Sequence, residues 1–217
     1  DWRVLATMRT PREDLLPPSA QLRVLPLDVT DQESVDKFCE QVPRCDLLVN
    51  NAGGAHGSES IADANVEDWQ WMYDTNVLGT LRVTRALLPK VEASGDGQVI
   101  NISSIAGLRS YRGGAGYNAA KHGVHSLSHV MRMEFVDAGV RVTLRDRIAG
   151  ATSGAATSTT PTGASPSPTS SEATPEQVAS VIAGKQADWR EVIEQAGTCR
   201  MNWVMKSEDL AETLNRK

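Results

Sequence analysis

The stretch CDLLVNNAGG, residues 45–54, decides the fold. Its first half places Leu47, Leu48 and Val49 in an unbroken apolar run, as expected of a strand covered on both faces rather than one. The run passes directly into a turn in which Gly53 and Gly54 let the backbone approach a ligand closely. In a parallel α/β sheet, ligands sit beyond the carboxyl ends of the strands, where such a turn lies. The surrounding chain agrees. WRVLATMR (2–9) and LRVLPLDV (22–29) are strand-like, and Asp31–Gln41 reads as a helix capped by Thr30 or Asp31. Downstream come a long amphipathic helix over Val66–Glu92, a strand GQVINISS (97–104), a helix over Ala115–Asp137 and a strand GVRVTL (139–144). This alternation predicts a doubly wound parallel sheet, Rossmann-like, with helices on both faces.

Composition narrows the function. The chain has 217 residues, 40% hydrophobic and 23% charged, which suits one globular domain with a sizeable core. A net charge of −5 without a basic cluster argues against nucleic acid as a partner. No apolar run reaches the ~18–20 residues of a membrane span, and no signal peptide is expected, so the chain reads as cytoplasmic. Cys39, Cys45 and Cys199 are odd in number and lack metal-ligand spacing, so they read as reduced thiols, with a Cys39–Cys45 pair the alternative under oxidation.

The regular pattern, residues 1–145, gives way to a low-complexity segment over 146–173, whose core AGATSGAATSTTPTGASPSPTSS (149–171) offers no apolar anchors and is expected to be flexible. Residues 174–217 are expected to complete the same domain with helices. Thr174 and Pro175 open the first, DWREVIEQAG (188–197) is the second, and Ser207 caps a terminal one, with CRMNWVM (199–205) a strand candidate between them.

The chemistry lies in GYNAAK (116–121), where Tyr117 and Lys121 share a helix face one turn apart. Ser104 lies thirteen residues before Tyr117, at the end of the VINISS strand. NNAG (50–53) closes the preceding strand, and DTNVLG (74–79) sits inside the long helix. With these four motifs in this order, residues 1 to about 143 resemble the short-chain dehydrogenase/reductase family. The spacing has a chemical reason. Reduction of a carbonyl needs a proton donor where negative charge develops on oxygen, and a nearby ammonium lowers the high pKa of a phenol.

The resemblance implies Tyr117 as proton donor, Lys121 as its cationic partner and ligand of the nicotinamide ribose, and Ser104 as holder of the substrate oxygen. It also implies Asn76 as anchor of a proton-relaying water. Ser104 as a mere turn cap, Ser103 as its rival and Asn76 as a simple helix kink stand as alternatives. For the cofactor the resemblance implies Asn50, Ala52 and Gly53 beside the ribose and Asp28 with Val29 at the adenine, although Asp28 also suits a helix cap. Arg9, at a strand end with no acid nearby, points to the 2′-phosphate of NADP, with NAD the alternative. His122, His125 and His129 share a helix flank, and a surface or subunit contact is expected there rather than a metal. Trp69, Trp71 and Tyr73 are expected to divide between core and interface.

Hydride transfer between NADP(H) and a small alcohol or carbonyl, in the branch acting on 3-hydroxy acids and serine-like substrates, is the function the resemblance implies. A homodimer or homotetramer is the assembly it implies. Two departures qualify this. The family's first strand and its glycine-rich turn are not found ahead of WRVLATMR, and no Pro-Gly follows GVRVT. The expectation is therefore a weakly folded, inactive chain unless CRMNWVM fills the gap. The rival class is a catalytically silent remnant serving as a binding or scaffold protein.

Overall fold

A computed structural model describes residues 2–12 and 19–147, together with the backbone of 202–207. The low-complexity segment after Arg147 and the expected helices within 174–217 lie outside the described residues. Strand β1 (Trp2–Met8) pairs in parallel with β2 (Leu22–Pro26), and β3 (Leu47–Asn50) pairs in parallel with β4 (Gln98–Ser104) and through it with β5 (Arg141–Arg147). All four residues of β3 are buried, as its uninterrupted apolar run requires.

Helix α1 (Gln32–Glu40) starts at Asp31, whose carboxylate accepts from the Glu33 amide at 3.1 Å, which settles the choice between Thr30 and Asp31. Beyond its other end Lys90 donates to the carbonyls of Cys39, in the last turn, and Val42, just past the C-cap, where a cation suits the helix C-terminus. The long helix is observed in three parts: α2 (Val66–Tyr73), a π-helical turn (Asp74–Leu78) and α3 (Gly79–Glu92). Val83, Leu87 and Val91 recur every four residues along α3 and are all fully buried against the sheet, with Val35 and Phe38 of α1 in the same cluster. Helix α4 (Ala115–Glu134) ends three residues earlier than expected because the chain turns back through Gly139, at φ 68°, and Val140 donates to the Phe135 carbonyl.

The sheet corrects one expectation. Its order is β2-β1-β6-β3-β4-β5, in which β6 (Asn202–Ser207) runs antiparallel to both β1 and β3. The sheet is thus mixed rather than wholly parallel, and residues 174–217 contribute a strand as well as any helices. CRMNWVM was the strand candidate for the gap between β1 and β3, and its second half fills it. An inner strand edge exposes a row of N–H and C=O groups, and an antiparallel strand satisfies them as a parallel one does. Among the described residues the helices packed on the sheet share one face, joined by a buried polar chain. Asn50 donates to Thr84 of α3 and to Asn101 of β4, each at 2.9 Å, and Asn101 donates to Ser128 of α4 at 2.9 Å.

Candidate active site

The carboxyl ends of β3 and β4 and the first turns of α4 bring the catalytic candidates together. Asn76 sits in the π-helical turn, where the Gly79 amide reaches back to the Asp74 carbonyl. The widened turn releases a polar side chain from the regular ladder, a common device at functional sites. Asn76 is 1% exposed, donates to the Gly54 carbonyl at 2.9 Å and to the Met72 carbonyl at 2.7 Å, and accepts from the Gly54 amide at 3.3 Å. The helix Asn and the NNAG turn are therefore one unit. Gly53 shows how tightly that unit closes: a Cβ there would meet Asn76 Oδ1 at 2.4 Å and stand 3.5 Å from Lys121 Nζ.

Lys121 is buried, and its ammonium donates to the Ile102 carbonyl at 3.2 Å. Burial pulls its pKa down to about 8, with the Arg147 guanidinium pushing the same way and Asp146 opposing. Its Nζ stands 5.7 Å from the centre of the Tyr117 ring. Tyr117 is half-buried, packed against the cluster of Met72, Val77, Ala120 and Val124, so its ring has a fixed seat. Ser104 is buried at the end of β4, and its hydroxyl accepts from the Ala106 amide at 3.2 Å, capping the short turn that follows. The capping alternative is thus realised, and a hydroxyl that accepts there still has its own proton to donate. Ser103, its rival, is buried with no hydrogen-bond partner.

A cavity of about 310 Å³ lies beyond the ends of β1, β2 and β3, lined by Arg9, Asp28, Val29, Ala52 and Gly53. Five of the six residues expected to hold the cofactor, Lys121 and Tyr117 aside, thus share one space. The sixth, Asn50, spends its amide on Thr84 and Asn101 inside the helix–sheet layer. Asp28 accepts from the Thr30 amide at 2.9 Å and the Thr30 hydroxyl at 2.6 Å. Burial pushes its carboxyl up, but these bonds and the Arg9 guanidinium outweigh it and hold the group below the usual range. Trp71 and Thr75 also line the cavity, and sequence reasoning missed both as site residues. Their spacing of four, with Gly79 next in the series against Val29, was the available signal. Thr75 Oγ1 is buried without a partner at this wall and Arg9 offers a cation beside it, a polar lining that fits part of a phosphorylated nucleotide.

Of the histidines, His125 Nε2 lies 2.7 Å from Asp146 and His122 Nδ1 lies 2.8 Å from the Asn118 carbonyl. Trp69 and Trp71 pack on the inner cluster while Tyr73 is exposed. Cys39 and Cys45 are free thiols, and burial pushes the Cys45 thiol up to about 12. No helix among the described residues is long and apolar enough to cross a membrane.

Comparison with known proteins places this geometry. The short chain dehydrogenase family matches residues 4–156. An uncharacterized oxidoreductase of Mycobacterium tuberculosis is 54% identical over 116 residues, which is 54% of this chain and 46% of the relative. An NADP-dependent 3-hydroxy acid dehydrogenase of Schizosaccharomyces pombe is 38% identical over 128 residues, covering 56% and 49% of the two chains. Among solved structures, the closed form of a serine dehydrogenase complexed with NADP+ superposes with a TM-score of 0.58 at 37% identity, over 60% of this chain and 54% of that one. The chain spans about half the length of the curated relatives it matches. The fold is Rossmann-like, and the chain belongs to the short-chain dehydrogenase family.

Proposed function

We propose that this protein is an NADP(H)-dependent oxidoreductase interconverting a small alcohol and its carbonyl. The observation that carries the reading is the convergence of Gly53, Asn76 and Lys121 in one buried unit, with Tyr117 one helical turn before the lysine. The relatives' dependence on NADP and the position of Arg9 in the cavity support the choice of cofactor. In this reading Arg9 grips the 2′-phosphate, Asp28 and Val29 border the adenine, and Ala52 with Gly53 border the ribose. The cofactor supplies the hydride acceptor or donor.

The chain's own residues manage the proton. The Ser104 hydroxyl donates to the substrate oxygen and orients it towards the Tyr117 phenol. In the reduction direction Tyr117 gives its proton to that oxygen; in oxidation its phenolate takes the proton. Lys121 stabilises the phenolate, and its own lowered pKa makes it a proton carrier near neutral pH. Asn76 holds the Gly53–Gly54 backbone at the ribose side and orders the water through which that proton reaches solvent. Assembly as a homodimer or homotetramer through the side formed by α2, α3 and α4, where Tyr73 and Leu81 are exposed, and residence in the cytoplasm belong to the same reading.

The test is Tyr117→Phe. Turnover of an alcohol panel with NADP+ should fall about 10²–10⁴-fold while NADPH binding by fluorescence is retained. A variant that keeps near-full activity removes Tyr117 from the mechanism.

A further inference from the structure

Resting on the alcohol–carbonyl reading above, we propose that Asn118 is the positioning residue that aims the Ser104 hydroxyl at the substrate oxygen. Ser104 ends β4, and Tyr117 lies in the first turn of α4. The chain between them is largely loop, and a loop by itself does not hold two side chains at a fixed separation. Asn118 closes that loop from the inside. It is 4% exposed, and its amide nitrogen donates to the Ala106 carbonyl at 2.8 Å and to the Arg109 carbonyl at 3.2 Å. Its amide oxygen accepts from the Tyr111 N–H at 3.3 Å. Both amide hydrogens and one acceptor site are thus engaged, so the side chain cannot turn without breaking bonds.

The bond to Ala106 is the one that reaches the chemistry. Ala106 is 1% exposed, and its own N–H donates to the Ser104 hydroxyl at 3.2 Å. Asn118 therefore grips the carbonyl of the residue whose N–H fills one acceptor site of the Ser104 oxygen. With that site taken, the hydroxyl proton points away from Ala106 and is left to donate. The next residue allows no slack: a Cβ on Gly107 would meet the Lys121 carbonyl at 2.8 Å, so the turn lies directly on α4. Asn118 adjoins Tyr117 in the chain, so one clasp sets the phenol and the hydroxyl in a common frame. Orientation of the reacting oxygen requires such a frame.

The experiment is a double-mutant cycle on the full chain, with NADPH and a panel of small aldehydes and ketones. Asn118→Ala should lower kcat about 10–100-fold, with NADPH affinity by fluorescence within about twofold of wild type. In a Ser104→Ala background the same change should cost less than about threefold, because the group it positions is gone. A merely structural role would carry the same factor into both backgrounds, so equal losses overturn the proposal, as does full activity of Asn118→Ala. If Asn118→Ala does not fold, Asn118→Ser and Asn118→Asp complete the same cycle. A wild type that reduces nothing in the panel overturns the alcohol–carbonyl reading. Hydrogen exchange at the Ala106 amide then tests the clasp by itself. Exchange at least about tenfold faster in the Asn118 variant supports the clasp, and unchanged protection overturns it.

Discussion

Removing the charge of Lys121 should make the protein more stable. The side chain is 6% exposed, and burial brings its pKa from 10.5 to about 8. At about 1.4 kcal/mol per unit, keeping the ammonium inside near neutral pH costs the folded state about 3 kcal/mol. Lys121→Met removes that cost and fills similar space, but gives up the hydrogen bond to the Ile102 carbonyl, worth about 1 kcal/mol. The net expectation is a gain of about 2 kcal/mol at pH 7, or roughly 4–8 °C in Tm for a chain of this size. The pH dependence supplies a second check. Below about pH 8 both folded and unfolded states hold the proton, so the penalty is complete. Between about 8 and 10.5 the unfolded state binds it more tightly, so the wild type gains stability as pH rises and the advantage of the variant shrinks. Urea unfolding of both proteins at pH 7 and pH 10 measures this. A variant less stable than wild type at pH 7, or an advantage that does not change with pH, refutes the reasoning.

Gly53→Ala should lower turnover at least about tenfold and cost about 1–3 kcal/mol. The added methyl would meet Asn76 Oδ1 at 2.4 Å, and three hydrogen bonds prevent that amide from moving aside, so wild-type kinetics and melting would contradict the packing described. Arg9→Ala should weaken NADPH binding by about tenfold or more while changing NADH binding little, because only the former carries the additional phosphate. Calorimetric titration with both cofactors checks it, and equal losses would count against a 2′-phosphate contact.

How much of this was legible in the sequence depended on whether a feature is local. The apolar run through Leu47–Val49 and the four-residue step from Tyr117 to Lys121 each act within a few residues and were readable, whereas the cap of α1 was narrowed to Thr30 or Asp31 and the structure chose Asp31. The π-helical turn at Asn76 was not, because helical periodicity survives one extra residue and only the strain of a mid-helix Asn hinted at it. Asp28 showed why a motif residue is ambiguous: its carboxylate borders the cavity and closes a turn with Thr30 at once. Asn50 is expected at the cofactor; its Nδ2 donates to Thr84 and Asn101, partners 34 and 51 residues away, which no local pattern could show, while its Oδ1 is buried without a partner. Strand β5 runs on to Arg147, past the point where the pattern faded at Leu144, and only the ladder beside Ser104 reveals its length.

The central position of β6 bears on how the molecule comes to be folded. The strand that joins β1 to β3 is the last of the described strands, and its register sets Val4 against Met205. Closing so long a loop costs about 5 kcal/mol of chain entropy by the logarithmic law, all of it spent before the pairing returns anything. During synthesis the β2–β1 pair and the β3–β4–β5 group can form early, but each waits with an open inner edge until residues 202–207 emerge. Assembly is therefore slow, with high contact order, and its halves are exposed to edge-to-edge association in the interval.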